Sequence, residues 1–238
     1  MVLDGAEANG TFVLAVTTTP RAFEGNLRLV DGRRRIRVAL GLHPELVAER
    51  HTEIDLFVEL LPQTAFVGEV GIDGSPRNRS SFALQEKAFV RIVDECARHG
   101  GRVLSIHSRR AAGGVLDVLG SATGFGTPVL HWFSGTMREL DRAVSAGCWF
   151  SVGPAMLESP AGRRLASAMP KDRVLTETDA PFAQLSGRPM MPWDVSQAEV
   201  GLADLWSETV QNVRSLLRDN LRLLATRASL LPVQGAGI

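Results

Sequence analysis

VLTETDAPF, residues 174–182, is an apolar run that stops in Glu177, Thr178 and Asp179, with a proline following at Pro181. Three other short apolar runs stop in the same way. FVGEVGID (66–73) carries Glu69, VLSIH (103–107) ends in His107, and TPVLH (127–131) ends in His131. One carboxylate or imidazole at the C-terminal end of each of four strands is the layout of a metal hydrolase on a β/α barrel, where reactive groups gather at strand ends.

Working outward from these runs, strand-length apolar stretches alternate with helix-like ones. Strands are expected near 11–17, 35–41, 65–70, 103–107, 127–131, 148–152 and 173–177, and helices near 20–31, 45–61, 80–99, 110–120, 136–146, 159–168 and 202–225. The helix at 80–99 is the clearest, with an amphipathic rhythm through Phe82, Ala83, Leu84, Phe89, Val90, Val93 and Ala97 and a stop at Gly100 and Gly101. Such alternation predicts parallel βαβ units in one sheet. The expected fold class is α/β, a TIM-type (β/α) barrel as one domain over residues 1–228, with 229–238 as a tail. A closed barrel has eight strands, and seven are legible; VLDGAEANG (2–10) reads as the end of a helix stopped by Gly10, as if the first strand were lacking. The Gly-, Pro- and Met-rich stretch 185–201 is expected to form a loop over the barrel mouth.

Composition narrows the function classes. The 238 residues hold 26 basic and 26 acidic side chains, so binding to a polyanion has to come from a local patch. The two cysteines, Cys96 and Cys148, form no paired motif, which points to a reducing cytoplasm. No apolar run has the length of a membrane span, and the N-terminus lacks signal-peptide character.

Taken singly, the site residues have ordinary explanations. Glu69 could be paired with an arginine, and a lone strand-end His is more often a satisfied core residue than a ligand. His107 and His131 occupy matching positions on neighbouring strands, which favours a shared metal site. Asp179 reads either as a helix N-cap or as a metal ligand or general base, with Glu177 two residues away. His43, in GLHP (41–44), reads as a substrate or phosphate contact or as a turn residue. Arg109, with Arg110, Arg77, Arg79 and Arg188, falls in loops on one expected face and could steer a phosphate backbone.

GLHP (41–44), GEVGID (68–73), the His107 segment, HWFSG (131–135), FSVGP (150–154) and LTETDAP (175–181) occur in the order found in TatD-type metal-dependent deoxyribonucleases, which the chain resembles from roughly residue 2 to roughly residue 225. VTTTP (16–20) and the short spacings look most like QatD, the TatD-like subunit of Qat antiphage systems. The resemblance implies a TIM-barrel hydrolase that binds one or two divalent metals (Mg, Mn or Zn) and cleaves phosphodiester bonds in DNA, with other subunits of a Qat-type defence system as possible partners. By motif, Glu69 would bridge two metals, His107 and His131 would complete one site, and Asp179 would bind the other metal and position the attacking water. His43 and Glu177 would support substrate.

The family carries an H-x-H motif on its first strand, and here no His precedes His43. Three accounts compete: a start codon placed too far downstream, a truncated gene, or a lineage that shed metal binding and kept the barrel. The intact remaining motifs favour the first, so a version longer by about 20 residues is expected to cleave DNA with Mg²⁺ or Mn²⁺. The rival functions are a non-catalytic scaffold subunit and a metal barrel hydrolysing esters or amides.

Overall fold

Among the described residues seven parallel strands are laid down in chain order: β1 (Val13–Val16), β2 (Ile36–Ala39), β3 (Phe66–Gly71), β4 (Arg102–His107), β5 (Gly126–His131), β6 (Trp149–Val152) and β7 (Val174–Thr176). The structure is a computed structural model that describes residues 2–185 and 187–230. β1 pairs with β2, Leu40 just beyond β2 bridges to Val67, and β3 to β7 then pair consecutively. Among the described residues β1 and β7 each have one strand neighbour, so they are the two edges of the run. Phe12, Leu14 and Val16 on or beside β1 are 59%, 38% and 39% exposed, so that edge is open to solvent. The arrangement is a TIM-type α/β fold.

Helices pack against the faces of this sheet. They are α1 (Val2–Ala8), α2 (Phe23–Val30), α3 (Val47–Arg50), α4 (Ile54–Leu60), α5 (Phe82–Arg98) and α6 (Ala112–Ser121). α7 (Met137–Ser145), α8 (Pro154–Leu157), α9 (Pro160–Ala168), α10 (Ser196–Trp206) and α11 (Val210–Ser229) complete them. None is long and apolar enough to cross a membrane. α7 starts at a capping box, in which Thr136 and Glu139 satisfy each other's backbone N–H groups. α5 buries Ala88, Phe89, Ile92, Val93 and Cys96, while Val90 faces solvent, so its apolar stripe is narrower than the sequence rhythm suggests.

The seven expected strands are all found within two residues of their expected bounds. The helices differ more. The stretch 45–61 is broken into short α and 3-10 turns, with Pro44 and Pro62 opening two of the tight turns. The single helix expected at 202–225 is two helices. α10 ends at Ser207, whose φ of 54° is left-handed, and α11 restarts where the Thr209 hydroxyl accepts the Asn212 N–H. The loop expected over 185–201 contains the short hairpin Gln184–Leu185/Arg188–Pro189 and gives way to α10 at Ser196. Residues 231–238, most of the expected tail, lie outside the described residues.

Period-two alternation splits the strand side chains between two environments. Leu104, Ile106, Leu130, Phe150, Val152 and Val174 belong to the large core under the helices. Val103, Val129 and Trp149 face the other way and form a separate cluster with Leu224 and Ala228 of α11. The C-terminal turns of the last helix therefore pack on the inner face of the strands, whereas Val213 and Leu217 nearer its start join the large core. Two to four residues further along that face stand His107, His131 and Glu177, so the inner apolar layer is the floor of the site.

Candidate metal centre

Glu69 reaches the mouth through an irregularity in β3. The β3–β4 register shifts between Val67 and Val70, and Gly68–Glu69 falls in the shift. Its Oε1 then lies 2.8 Å from His107 Nδ1, 3.2 Å from His131 Nε2 and 3.3 Å from His43 Nε2. One buried carboxylate oxygen thus stands at the focus of three imidazoles from three different strand ends. Burial pushes the Glu69 carboxyl up, but the His107, His131 and His43 hydrogen bonds outweigh it and hold the group well below the usual carboxylate range.

The outer nitrogens of these rings are held too. His107 Nε2 lies 2.7 Å from Asp73 Oδ2, and His131 Nδ1 lies 3.0 Å from Glu177 Oε2. Asp73 is fully buried, with its Oδ1 accepting the Ser75 N–H at 2.7 Å. Burial raises Asp73, but the Ser75 hydroxyl and backbone, Asn78 and His107 together lower it to about 2. Burial alone would lower His131; the charges and hydrogen bonds of Glu177 and Glu69 prevail and raise it well above the ordinary histidine value. A carboxylate behind a ring nitrogen fixes the orientation and tautomer of a metal-ligating histidine.

Asp179 sits just past β7 with a left-handed φ of 50°. Trp132, directly after His131, and Arg110, near the end of β4, are also left-handed at 38° and 54°. Non-glycine residues in this region are strained, and three of them at strand ends on one mouth is a concentration associated with functional sites. The Asp179 backbone oxygen accepts the Phe182 and Ala183 N–H groups, and its carboxyl is within electrostatic reach of the cluster. Burial raises that carboxyl to about 6, with His131 and His107 lowering it and Glu177 and Glu69 raising it.

The donor set suits a divalent cation. The ligand atoms of His43, Glu69 and His107 lie within 4.8 Å of one another. Glu177 Oε1 is buried without a hydrogen-bond partner, while its Oε2 takes the Ser151 hydroxyl and His131. An orphaned buried carboxylate oxygen beside histidines is costly unless a cation completes it. Proximity alone would count His43 among the ligands. Its hydrogen bonding argues otherwise: Nδ1 accepts the Glu45 N–H at 3.2 Å, so the proton of the neutral ring sits on Nε2, which faces Glu69 as a donor. Glu69, His107 and His131, with Asp179 and Glu177 alongside, are the better cation-holding set.

Residues 2–225 match the family described as TatD related DNase. The chain is a member of this family. It is 31% identical over 193 residues to the "Uncharacterized metal-dependent hydrolase TatD" of Mycobacterium tuberculosis, covering 76% of this chain and 72% of that protein. It is 32% identical over 149 residues to the "3'-5' ssDNA/RNA exonuclease TatD" of Musicola paradisiaca, covering 60% of this chain and 56% of that one. The crystal structure of YJJV, a TatD homologue from Escherichia coli, superposes with a TM-score of 0.84 at 24% identity, covering 94% of this chain and 90% of that chain; this likeness speaks for the fold alone. Membership of the TatD family makes the chain a relative of metal-dependent hydrolases and nucleases.

Of the residues expected from sequence, Glu69, His107, His131, His43 and Glu177 meet in one hydrogen-bonded cluster, and Asp179 lies within electrostatic reach of it. Arg109 stands at the rim, exposed, two residues past His107. No helix begins directly after Asp179, so it caps none; its backbone oxygen instead accepts the N–H groups of a turn. Asp73 was overlooked although it closes the GEVGID motif. Its signal was a second carboxylate four residues after Glu69, at a point where the chain turns inward.

Proposed function

We propose that this TatD-family protein is a metal-dependent phosphodiesterase that acts on DNA. The observation that carries the reading is the focus of His107, His131 and His43 on the single buried oxygen of Glu69, with Glu177 and Asp179 beside it. Glu69, His107, His131 and Asp179 would hold one or two divalent ions (Mg, Mn or Zn). When bound, such ions polarise a phosphoryl oxygen and lower the pKa of water.

The remaining steps belong to the protein's own groups. Asp179, which keeps its proton to about pH 6, is ionised at neutral pH and can take a proton from a water at its carboxylate. Asp73 and Glu177 hold His107 and His131 in place through their outer nitrogens. The His43 Nε2–H is placed to donate to a non-bridging phosphate oxygen once Glu69 is otherwise engaged. A scaffold subunit would have no use for so many buried, mutually paired ionisable groups, which is why the catalytic reading is preferred. The likeness of VTTTP (16–20) and the motif spacings to QatD supports a setting in cytoplasmic antiphage defence alongside other Qat-type subunits.

The test is an incubation of labelled single-stranded and duplex oligonucleotides with the protein and Mg²⁺, Mn²⁺ or Zn²⁺, beside carboxylester and amide substrates. Cleavage of DNA that is lost in Glu69→Ala and Asp179→Asn is the expected result. A protein that binds metal yet leaves every oligonucleotide intact refutes the proposal.

A further inference from the structure

Beside His107 the ends of β3 and β4 run on as two loops laid against each other. The Ile72 N–H donates to His107 O at 3.1 Å and the Gly74 N–H to Arg109 O at 2.9 Å. The approach is close enough that a Cβ on Gly74 would stand 2.4 Å from Arg110 O. Between the loops opens a hollow of about 370 Å³ lined by Ser75, Pro76, Arg77, Arg109 and Arg110. Arg77 is neutralised by Glu45. Arg109 and Arg110 are exposed and have no carboxylate partner among the described residues. The nearest buried acid, Asp73, is committed to His107 and the Ser75 N–H. Arg110 is held at φ 54°, a conformation that costs a non-glycine residue about 1 kcal/mol or more.

We infer that this hollow is a binding subsite for a phosphodiester of the nucleic-acid strand flanking the one at the metal centre, gripped by Arg109 and Arg110. The chemistry follows from the guanidinium group, whose planar fork matches two phosphate oxygens. The position follows from the chain: Arg109 is two residues from His107, so a strand bound at the cluster runs past the hollow. The clamped loops bring both arginines to the lining of one hollow without a carboxylate partner among the described residues, so an anion there meets two uncompensated cations. The inference rests on the reading of the substrate as a polynucleotide.

The experiment measures the affinity of a fluorescent single-stranded deoxyoligonucleotide by anisotropy in EDTA, where no cleavage occurs, over a series of salt concentrations. Each contact with a single strand adds about 0.7 to the slope of log K against log salt. The Arg109→Gln/Arg110→Gln double variant is expected to bind about tenfold more weakly at low salt, with the slope reduced by about 1.4. Arg28→Gln, an equal loss of charge per site on α2, is expected to bind as wild type does. Arg110→Gly separates binding from folding: relief of the left-handed strain should raise Tm by about 2–4 °C while affinity still falls. Oligonucleotides with and without a terminal phosphate distinguish an internal diester, for which the effect is equal, from a terminal phosphate, for which it disappears when the phosphate is removed. An effect confined to the terminally phosphorylated strand, or an unchanged slope and affinity in the double variant, overturns the inference. The nuclease reading is scored separately. Cleavage with an unchanged slope sinks the subsite and spares the reaction, whereas a reduced slope in a protein that cleaves nothing does the reverse.

Discussion

Glu69→Gln isolates the charge at the centre of the cluster while keeping the side-chain shape. In the metal-free protein two effects oppose one another. The carboxylate's hydrogen bonds to His107, His131 and His43 lose their charge assistance, about 1.5–3 kcal/mol each at most, and the cost of burying a carboxylate, also several kcal/mol, is relieved. The metal-free Tm is therefore a poor discriminator, and the increment produced by metal is the quantity to read. At a free ion concentration 100 times Kd the wild-type protein gains about 2.7 kcal/mol. For a domain of this size about 1 kcal/mol moves Tm by roughly 2–4 °C, so the increment should be about 5–11 °C. Removing the one anionic ligand shared by three rings should weaken binding by about 100-fold or more, which leaves about 0.4 kcal/mol and an increment of about 1–2 °C at the same concentration. Scanning calorimetry after chelator treatment, with Zn²⁺, Mn²⁺ and Mg²⁺ titrated in turn, reads this directly. An undiminished increment in Glu69→Gln would refute the placement of the cation on this carboxylate.

Asp179 titrates at about 6 in the folded protein and near 4 unfolded, so the unfolded chain loses its proton first and metal-free stability falls as pH rises from about 4 to about 6. Because the side chain is partly solvated, the fall it causes is about 1–2 kcal/mol, and Asp179→Asn should gain on wild type by that amount in melts between pH 4 and pH 7. A constant difference across that range would count against the burial of this carboxyl. His131, raised as well, acts in the same direction at higher pH, whereas Asp73 and Glu69, lowered, lose their stabilising contribution only on acidification. Gly71→Ala places a Cβ 2.1 Å from His107 O at a φ of 132°, and should cost more than about 3 kcal/mol by chemical denaturation; a cost under about 1 kcal/mol would show that β3 and β4 are not clamped there. Cys96 and Cys148 are buried and pushed up to about 12, so a thiol reagent at pH 8 should label neither in the folded protein and both after denaturation.

The strands and their ligands were legible because each is a local signal, a short apolar run ending in a group that apolar surroundings do not tolerate unpaired. What escaped was information carried between distant segments. Asp73 is an acid in a turn until His107 is brought 2.7 Å away by β3–β4 pairing. The donor role of His43 depends on a hydrogen bond from Glu45 that fixes its tautomer. The break at Ser207 leaves no proline or glycine to betray it, since the chain turns there on a left-handed serine. The basic hollow needs Arg77 and Arg109, 32 positions apart in sequence, to meet through two clamped loops.

The packing of α11 on Val103, Val129 and Trp149 has a consequence for how the molecule is born. Synthesis runs at about 5–20 residues per second, so several seconds separate the emergence of these strand residues from that of Leu224 and Ala228. Throughout that interval the nascent sheet presents Trp149 and its neighbours uncovered, a surface suited to chaperone capture. The floor beneath the histidines is sealed only once α11 has emerged, so premature termination within α11 should yield an insoluble product even though it removes none of the residues that gather around Glu69.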